Sequence, residues 1–350
     1  MIEASRSPLC VELIKARHLS KLASITSRKR LAWLQLMVIR NWIAQVESIL
    51  PSWLPARRPF CLLALENENP IALVVVMPCN RRATCWSVHF PELLSHPKEL
   101  TMSFIKQNLL KNSMHLVKNK AQSWLIRCPA SDNNQLAIAR ELGFQPLKLY
   151  NCWKPPSNIL YNKSSIKPRI KHIDLEWQEL NTENVGLLFR LEQASESSHL
   201  RQILDRNLAD LVDPIQTHNR VLISKTSENN CAIAGLICRH WTENKLTIEL
   251  IRDLAWDERI SRGLESTLKE LSEETDINID IETPKDDVEL TNLLNQIGWE
   301  FNYETILLGK SLWRRKENRR LIDGARKIES MLEGLNPQRP PLPSPTLDPK

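Results

Sequence analysis

The sequence predicts an α/β protein built from two similar units. Three observations carry that prediction. Residues 139–155 read ARELGFQPLKLYNCWKP and residues 293–313 read LLNQIGWEFNYETILLGKSLW, so an amphipathic run, a glycine-aromatic pair, a strand-like run and a tryptophan occur twice. Gly143 and Gly298 lie 155 positions apart in a chain of 350 residues, about one domain length. Each glycine falls where a left-handed residue stops a helix before an extended strand.

In the first unit, residues 9–50 read as mostly helical, with a short strand near Cys10–Ile14. Leu31, Leu34, Val38, Trp42 and Val46 make an apolar stripe at helical spacing, with Trp33 and Trp42 as packing residues, and Pro51 ends the run. Phe60–Leu65, Ile71–Met77 and Thr84–Phe90 read as an antiparallel meander, the first two joined by the turn ENENP. A helix over Leu100–Val117, a strand over Ser123–Arg127, a helix over Asp132–Leu142 and a strand over Leu147–Trp153 complete it.

The second unit repeats the plan. Helices fall at Asn184–Gln193 and Leu200–Leu211, and strands at Arg220–Ser224, Cys231–Arg239 and Lys245–Ile251. A helix at Glu258–Leu271, a strand at Ile277–Ile281, a helix at Asp286–Ile297 and a strand at Tyr303–Leu308 follow. The domain boundaries are therefore expected at 1–155 and 174–313, with a Pro/Ser/Lys linker at 156–173, a basic helix at 314–335 and a Pro-rich disordered tail at 336–350.

Composition narrows the function class. The 42% hydrophobic and 25% charged fractions are those of a soluble globular protein, and no stretch has the length and apolarity of a membrane span. No signal-peptide pattern opens the chain. The eight cysteines form no CxxC and no metal-ligand spacing with histidine, so reduced structural thiols, no metal and a cytoplasmic location are expected. Charge is sharply divided: residues 1–172 hold 25 Lys/Arg against 9 Asp/Glu, and residues 173–312 hold 13 against 27. Such halves attract each other, or face different partners: an anion such as a nucleotide or nucleic acid, and a cationic acceptor.

The order helix, three-strand meander, helix, strand, helix, glycine-aromatic, strand resembles the GNAT (GCN5-related) family of N-acetyltransferases, in tandem. The resemblance covers about residues 9–155 and 174–313, and ARELGF/LLNQIGW is its most family-like signature. It implies two mixed, mostly antiparallel twisted sheets flanked by helices. It also implies acyl transfer from acetyl-CoA, as co-substrate, to an amine. The family's donor loop has the pattern Arg/Gln-x-x-Gly-x-Gly/Ala, whose backbone N–H groups approach the diphosphate at a helix N-terminus. The second unit has Ile260-Ser261-Arg262-Gly263-Leu264-Glu265, followed by Ser266. Gly263 matches the first glycine, while Ile260 and Glu265 depart from the pattern. The donor-binding set implied is Leu250, Ile251, Arg262, Gly263, Leu264, Glu265 and Ser266. The first unit has no glycine in the corresponding loop, Leu94–Thr101, so a close backbone cradle is not expected there and the unit reads as a degenerate copy.

The resemblance places a general base on the fourth strand at Glu249, in TIELI; the alternative is a polar residue pointing to solvent from an alternating strand. The family's tyrosine acid corresponds to Leu294 and Ala139, neither of which donates a proton, leaving Tyr303 and Tyr150 as substitutes unless they serve as core tyrosines. Two functions follow. One is an acyl-CoA-dependent N-acyltransferase acting through the second unit, with an amine acceptor. The other is a catalytically inactive binding or assembly protein that contacts nucleic acid or an acidic protein partner through the basic half. No membrane partner is expected.

Overall fold

In a computed structural model, the structure describes residues 9–47, 59–117, 121–155, 175–211, 219–224, 231–242, 245–261, 263–264, 267–268 and 278–312. The expected linker, Trp313, the basic helix, the Pro-rich tail, Arg262, Glu265 and Ser266 lie outside the described residues.

The first half runs β1 (Leu9–Leu13), α1 (Ala16–Ala23), α2 (Arg28–Glu47), β2 (Phe60–Glu66), β3 (Asn69–Pro78), β4 (Cys85–Val88), β5 (Glu92–Leu93), α3 (Met102–Leu116), β6 (Ser123–Pro129), α4 (Asn133–Glu141) and β7 (Gln145–Lys154). The second runs β8 (Leu175–Glu179), α5 (Val185–Ser195), α6 (Ser198–Leu204), α7 (Leu208–Leu211), β9 (Arg220–Ser224), β10 (Cys231–Thr242), β11 (Lys245–Arg252), helical residues at 259–261, 263–264 and 267–268, β12 (Asn278–Pro284), α8 (Val288–Gln296) and β13 (Glu300–Ser311). Local chemistry sets the boundaries. Asn67 and Glu68, both at positive φ, make the tight β2–β3 turn. Asp132 and Asp287 cap α4 and α8 through their side chains. Gly143 (φ 82°) and Gly298 (φ 89°) end the same two helices in the left-handed region, as the repeat implies.

The thirteen strands of the described residues belong to one sheet, ordered β1-β2-β3-β4-β6-β13-β7-β12-β11-β10-β9-β8, with β5 paired to β3. Each half is a mixed, mostly antiparallel sheet, with one parallel pair: β4–β6 in the first and β11–β12 in the second. The last strands are exchanged. β13 lies beside β6, where β7 would close the first half, and β7 lies beside β12, where β13 would close the second. At the junction β7 and β13 pair antiparallel. The chain through Ser311 is consequently one compact unit.

Helices α1, α2, α5 and α6 cover one face of the sheet, and α3, α4, α8 and the helical residues around Ile260, Leu264 and Leu268 cover the other. Ile260, Leu264 and Leu268 pack with α8 on Ile248, Leu250 and Ile281, while Leu188 and Leu191 of α5 pack on Val221, Ile237 and Ile251. α2 follows its expected stripe at Leu31, Leu34 and Val38, which pack on the core with Trp33, and departs from it at Trp42, which points to solvent, 65% exposed; the Val46 side chain lies outside the described residues. The helix sits on β2 through one narrow face, which takes Leu34 and Met37 and turns Trp42 away. The expected helix over Leu200–Leu211 is broken at Asp205, in the left-handed region, because its carboxylate is held by Arg82 and Thr84 of the first half.

Candidate functional site

The site is built where the parallel pair of the second half comes apart. The β11–β12 ladder runs from Lys245↔Asn278 to Glu249↔Glu282 and stops there, three residues before β11 ends. Beyond it β12 continues against β7, through Thr283↔Asn151 and Pro284↔Tyr150. Because alternate side chains face opposite ways, Ile248 and Leu250 join the apolar core, and Glu249 and Glu282 lie on the other face.

Glu249 is fully buried, and Arg127 of β6 lies 3.9 Å from it. Arg127 also forms a close ion pair with the buried Glu282 and stacks over the Tyr150 ring at 4.2 Å. Arg127 and Glu282 are 155 residues apart, the spacing of the two helix-ending glycines. They occupy the same slot in the two halves, each opposite the strand received from the other: Arg127 faces Leu307 and Glu282 faces Cys152. Burial and the Glu282 charge push the Cys152 thiol up to about 12.

A cavity of about 440 Å³ opens on this face at the junction of the halves. Arg127, Glu282, Tyr303, Thr305 and Thr247 form polar lining, and Leu125, Leu200, Leu204 and Leu307 form apolar wall. One side is fixed by the 80–84 turn: the Asn80 amide donates to the Leu204 carbonyl at 3.0 Å, and the Arg81 N–H to Asp210 at 2.6 Å. Tyr303 and Tyr150 both line the cavity, Tyr150 with its ring largely buried between Arg127 and Lys148. Among the described residues, five ion pairs join a base of the first half to an acid of the second: Arg82–Asp205, Arg127–Glu249, Arg127–Glu282, Lys148–Glu196 and Lys154–Glu300. The opposed charges of the halves therefore meet across this junction.

On the opposite face a groove of about 360 Å³ runs between the 256–261 segment and α8, past Trp256, Glu258, Ser261, Glu289, Asn292 and Gln296. Its charge is largely acidic. Arg252 is held by Asp287 at 2.9 Å and Glu289 at 3.0 Å and lies over Trp256. Asp257 accepts the Arg259 N–H at 2.9 Å, and Arg259 lowers its pKa. Gly263 lies within a helical turn. Its carbonyl accepts the Trp177 indole N–H at 2.7 Å, and a Cβ there would meet Trp177 and Leu222 at 3.0–3.2 Å, so close packing on the sheet gives glycine a reason at this position. Leu264 is buried in the core, and Leu250 and Ile251 face opposite sides of β11.

The first half has the equivalent loop before α3, and there a cradle does form without glycine. The Lys98 and Glu99 N–H groups donate to the buried Glu66 carboxylate at 2.8 and 3.0 Å. These amides, with that of Leu100, hold Glu66 below the usual carboxylate range. An anion-binding turn is thus filled by the chain's own side chain. The sequence signal was Glu66 itself, an acid closing the otherwise apolar run FCLLAL.

A strand-exchanged pair of half-sheets, each with one parallel pair and the second pair parted, is a tandem GNAT fold. The chain is similar to a GCN5-related N-acetyltransferase from Sphaerobacter thermophilus, with 11% identity and a TM-score of 0.50 over 87% of this chain and 96% of that one. A tandem GNAT protein from the clavulanic acid biosynthesis pathway superposes with 12% identity and a TM-score of 0.48, over 87% and 98% of the two chains. No family model and no curated protein matches the sequence.

Proposed function

We propose that the chain is an acyl-CoA-dependent N-acyltransferase. The donor enters the groove of the second half and the amine acceptor enters the junction cavity. The observation that carries this reading is the end of the β11–β12 ladder at Glu249↔Glu282, with a groove on one face of the sheet and a cavity on the other. The backbone of Leu250 and Ile251 on the parted strand, and residues Arg262, Gly263, Leu264, Glu265 and Ser266, would hold acetyl-CoA; bound there, it supplies the activated acyl group. The acidic groove opposes a diphosphate, so weak donor affinity is expected.

In this reading Glu249, buried on the same side of the sheet as the cavity and behind its lining, takes through water the proton that the amine loses as its nitrogen bonds to the acyl carbon. As the carbon–sulfur bond breaks, Tyr303 gives a proton to the sulfur. Arg127 holds the two carboxylates in place. Acetyl-CoA turnover with a panel of primary amines tests the proposal. Glu249→Gln should lower kcat by about 100-fold or more while leaving the KM for acetyl-CoA unchanged. Absence of both heat and thermal shift with acetyl-CoA would remove the enzymatic reading.

A second reading is favoured by the acids at both donor loops: Glu66 on the Lys98 and Glu99 amides, and Asp257 on that of Arg259. It is a catalytically silent fold that serves as a binding or assembly protein through its basic half. Nucleic-acid association of that kind must weaken steeply with salt.

A further inference from the structure

Helix α2 is apolar on two opposite sides. One side, with Leu34 and Met37, packs into the core. On the outward side Leu36, Ile39 and Trp42 are 51%, 53% and 65% exposed, and Ile25, just before the helix, is exposed too. With 100° per residue, Leu36, Ile39 and Trp42 fall on one continuous arc, away from Leu34 and Met37. Large apolar side chains concentrated in this way mark a contact surface rather than scattered exposure.

The exposed charges that the helix itself sets beside the ridge are of one sign, while Arg30, on the side toward the core, pairs with Glu92. Arg28, Lys29 and Arg40 are exposed on the same helix, and no acidic residue occurs in it before Glu47. A second copy docking ridge to ridge would bring these bases together, which is unfavourable. An anionic partner complements them. The ridge is a single convex helix side, so a fluid interface accepts it without a matching groove.

We propose that α2 docks the protein on an anionic lipid surface, with Leu36, Ile39 and Trp42 entering the headgroup boundary and Arg28, Lys29 and Arg40 pairing with lipid phosphates and carboxylates. This is a surface contact and not a span, since no helix among the described residues is long and apolar enough to cross a membrane. The binding needs no acyltransferase activity.

The test is co-flotation of the full chain with phosphatidylcholine vesicles, with and without phosphatidylserine. Binding should require phosphatidylserine and fall as salt rises. Ile39→Ser with Trp42→Ser should weaken it by about tenfold or more with an unchanged melting temperature, because both side chains are already exposed. Arg40→Glu should weaken it independently, which keeps the test decisive if the serine variant misfolds. Failure to float, equal binding to both vesicles, or binding unaffected by these variants would each overturn the proposal. So would a wild-type dimer in light scattering that Trp42→Ser converts to monomer, since the ridge would then belong to a second copy.

Discussion

Replacing Arg127 by Met should be among the most damaging single changes in the sheet. Its guanidinium is the cation placed against two buried carboxylates, Glu282 and Glu249, and only 26% of the side chain is exposed. Neighbouring strands lie about 4.8 Å apart. At an effective dielectric constant of about 20, two carboxylates some 5 Å apart repel by about 3 kcal/mol. Removing one partner of a buried pair costs about 3–5 kcal/mol. Because Arg127 is partly hydrated, the lower end applies, and Arg127→Met should lose about 3 kcal/mol in urea unfolding. Glu282→Gln in the same chain removes one of the stranded charges, so the double variant should recover a substantial part of the loss. The coupling between the two changes is then large and favourable to the pair. A loss below about 1 kcal/mol for Arg127→Met, or losses that simply add in the double variant, would refute this account of the junction.

Other outcomes are equally specific. Glu66 is held below the usual carboxylate range, so its contribution is complete above the ordinary glutamate pKa and is lost as pH falls through the lower folded value. The melting-temperature gap between wild type and Glu66→Ala should therefore close as pH is lowered from neutrality to strongly acid solution. Burial pushes the Cys61, Cys128 and Cys152 thiols up to about 12, 11 and 12, whereas Cys10 and Cys231 are exposed. A thiol reagent at mildly alkaline pH should react rapidly with Cys10 and Cys231 and with the other three only on unfolding. Gly143→Ala and Gly298→Ala should each cost about 1–2 kcal/mol, since both glycines hold positive φ at matching helix ends. A clear difference between them would mean that the two ends are not held alike.

The duplication was legible because it is written in local signals. Gly143 and Gly298 stop helices, Asp132 and Asp287 start them, and these effects need only a few neighbouring residues. The exchange of β7 and β13 was not, since alternation along a strand reports which face is buried and not which strand lies alongside. β8 escaped because LEWQE carries too weak an alternation to separate it from the preceding polar stretch. Trp42 misled because its spacing from Leu34 and Val38 is that of a core residue, and only the packing of α2 shows which of its two apolar sides is covered. At the candidate site, Glu249 was singled out by the resemblance, and its burial beside Arg127 sets aside the solvent-facing alternative. Its neighbours Arg127 and Glu282 were not, although their separation of 155 repeats that of the glycines. Acids at the donor loops were foreseen only in part, at Glu265. Glu66 comes from a strand more than thirty residues away, beyond any local reading.

The placement of β13 between β6 and β7 has a consequence for synthesis. Both flanking strands leave the ribosome well before their common neighbour, which begins at Glu300. At about 5–20 residues per second, the nascent chain waits roughly 7–30 s with the bare edges of β6 and β7 turned outward. During that interval a strand from a neighbouring polypeptide competes for the same vacancy, so a chaperone that shields open sheet edges should raise the yield of correctly threaded protein.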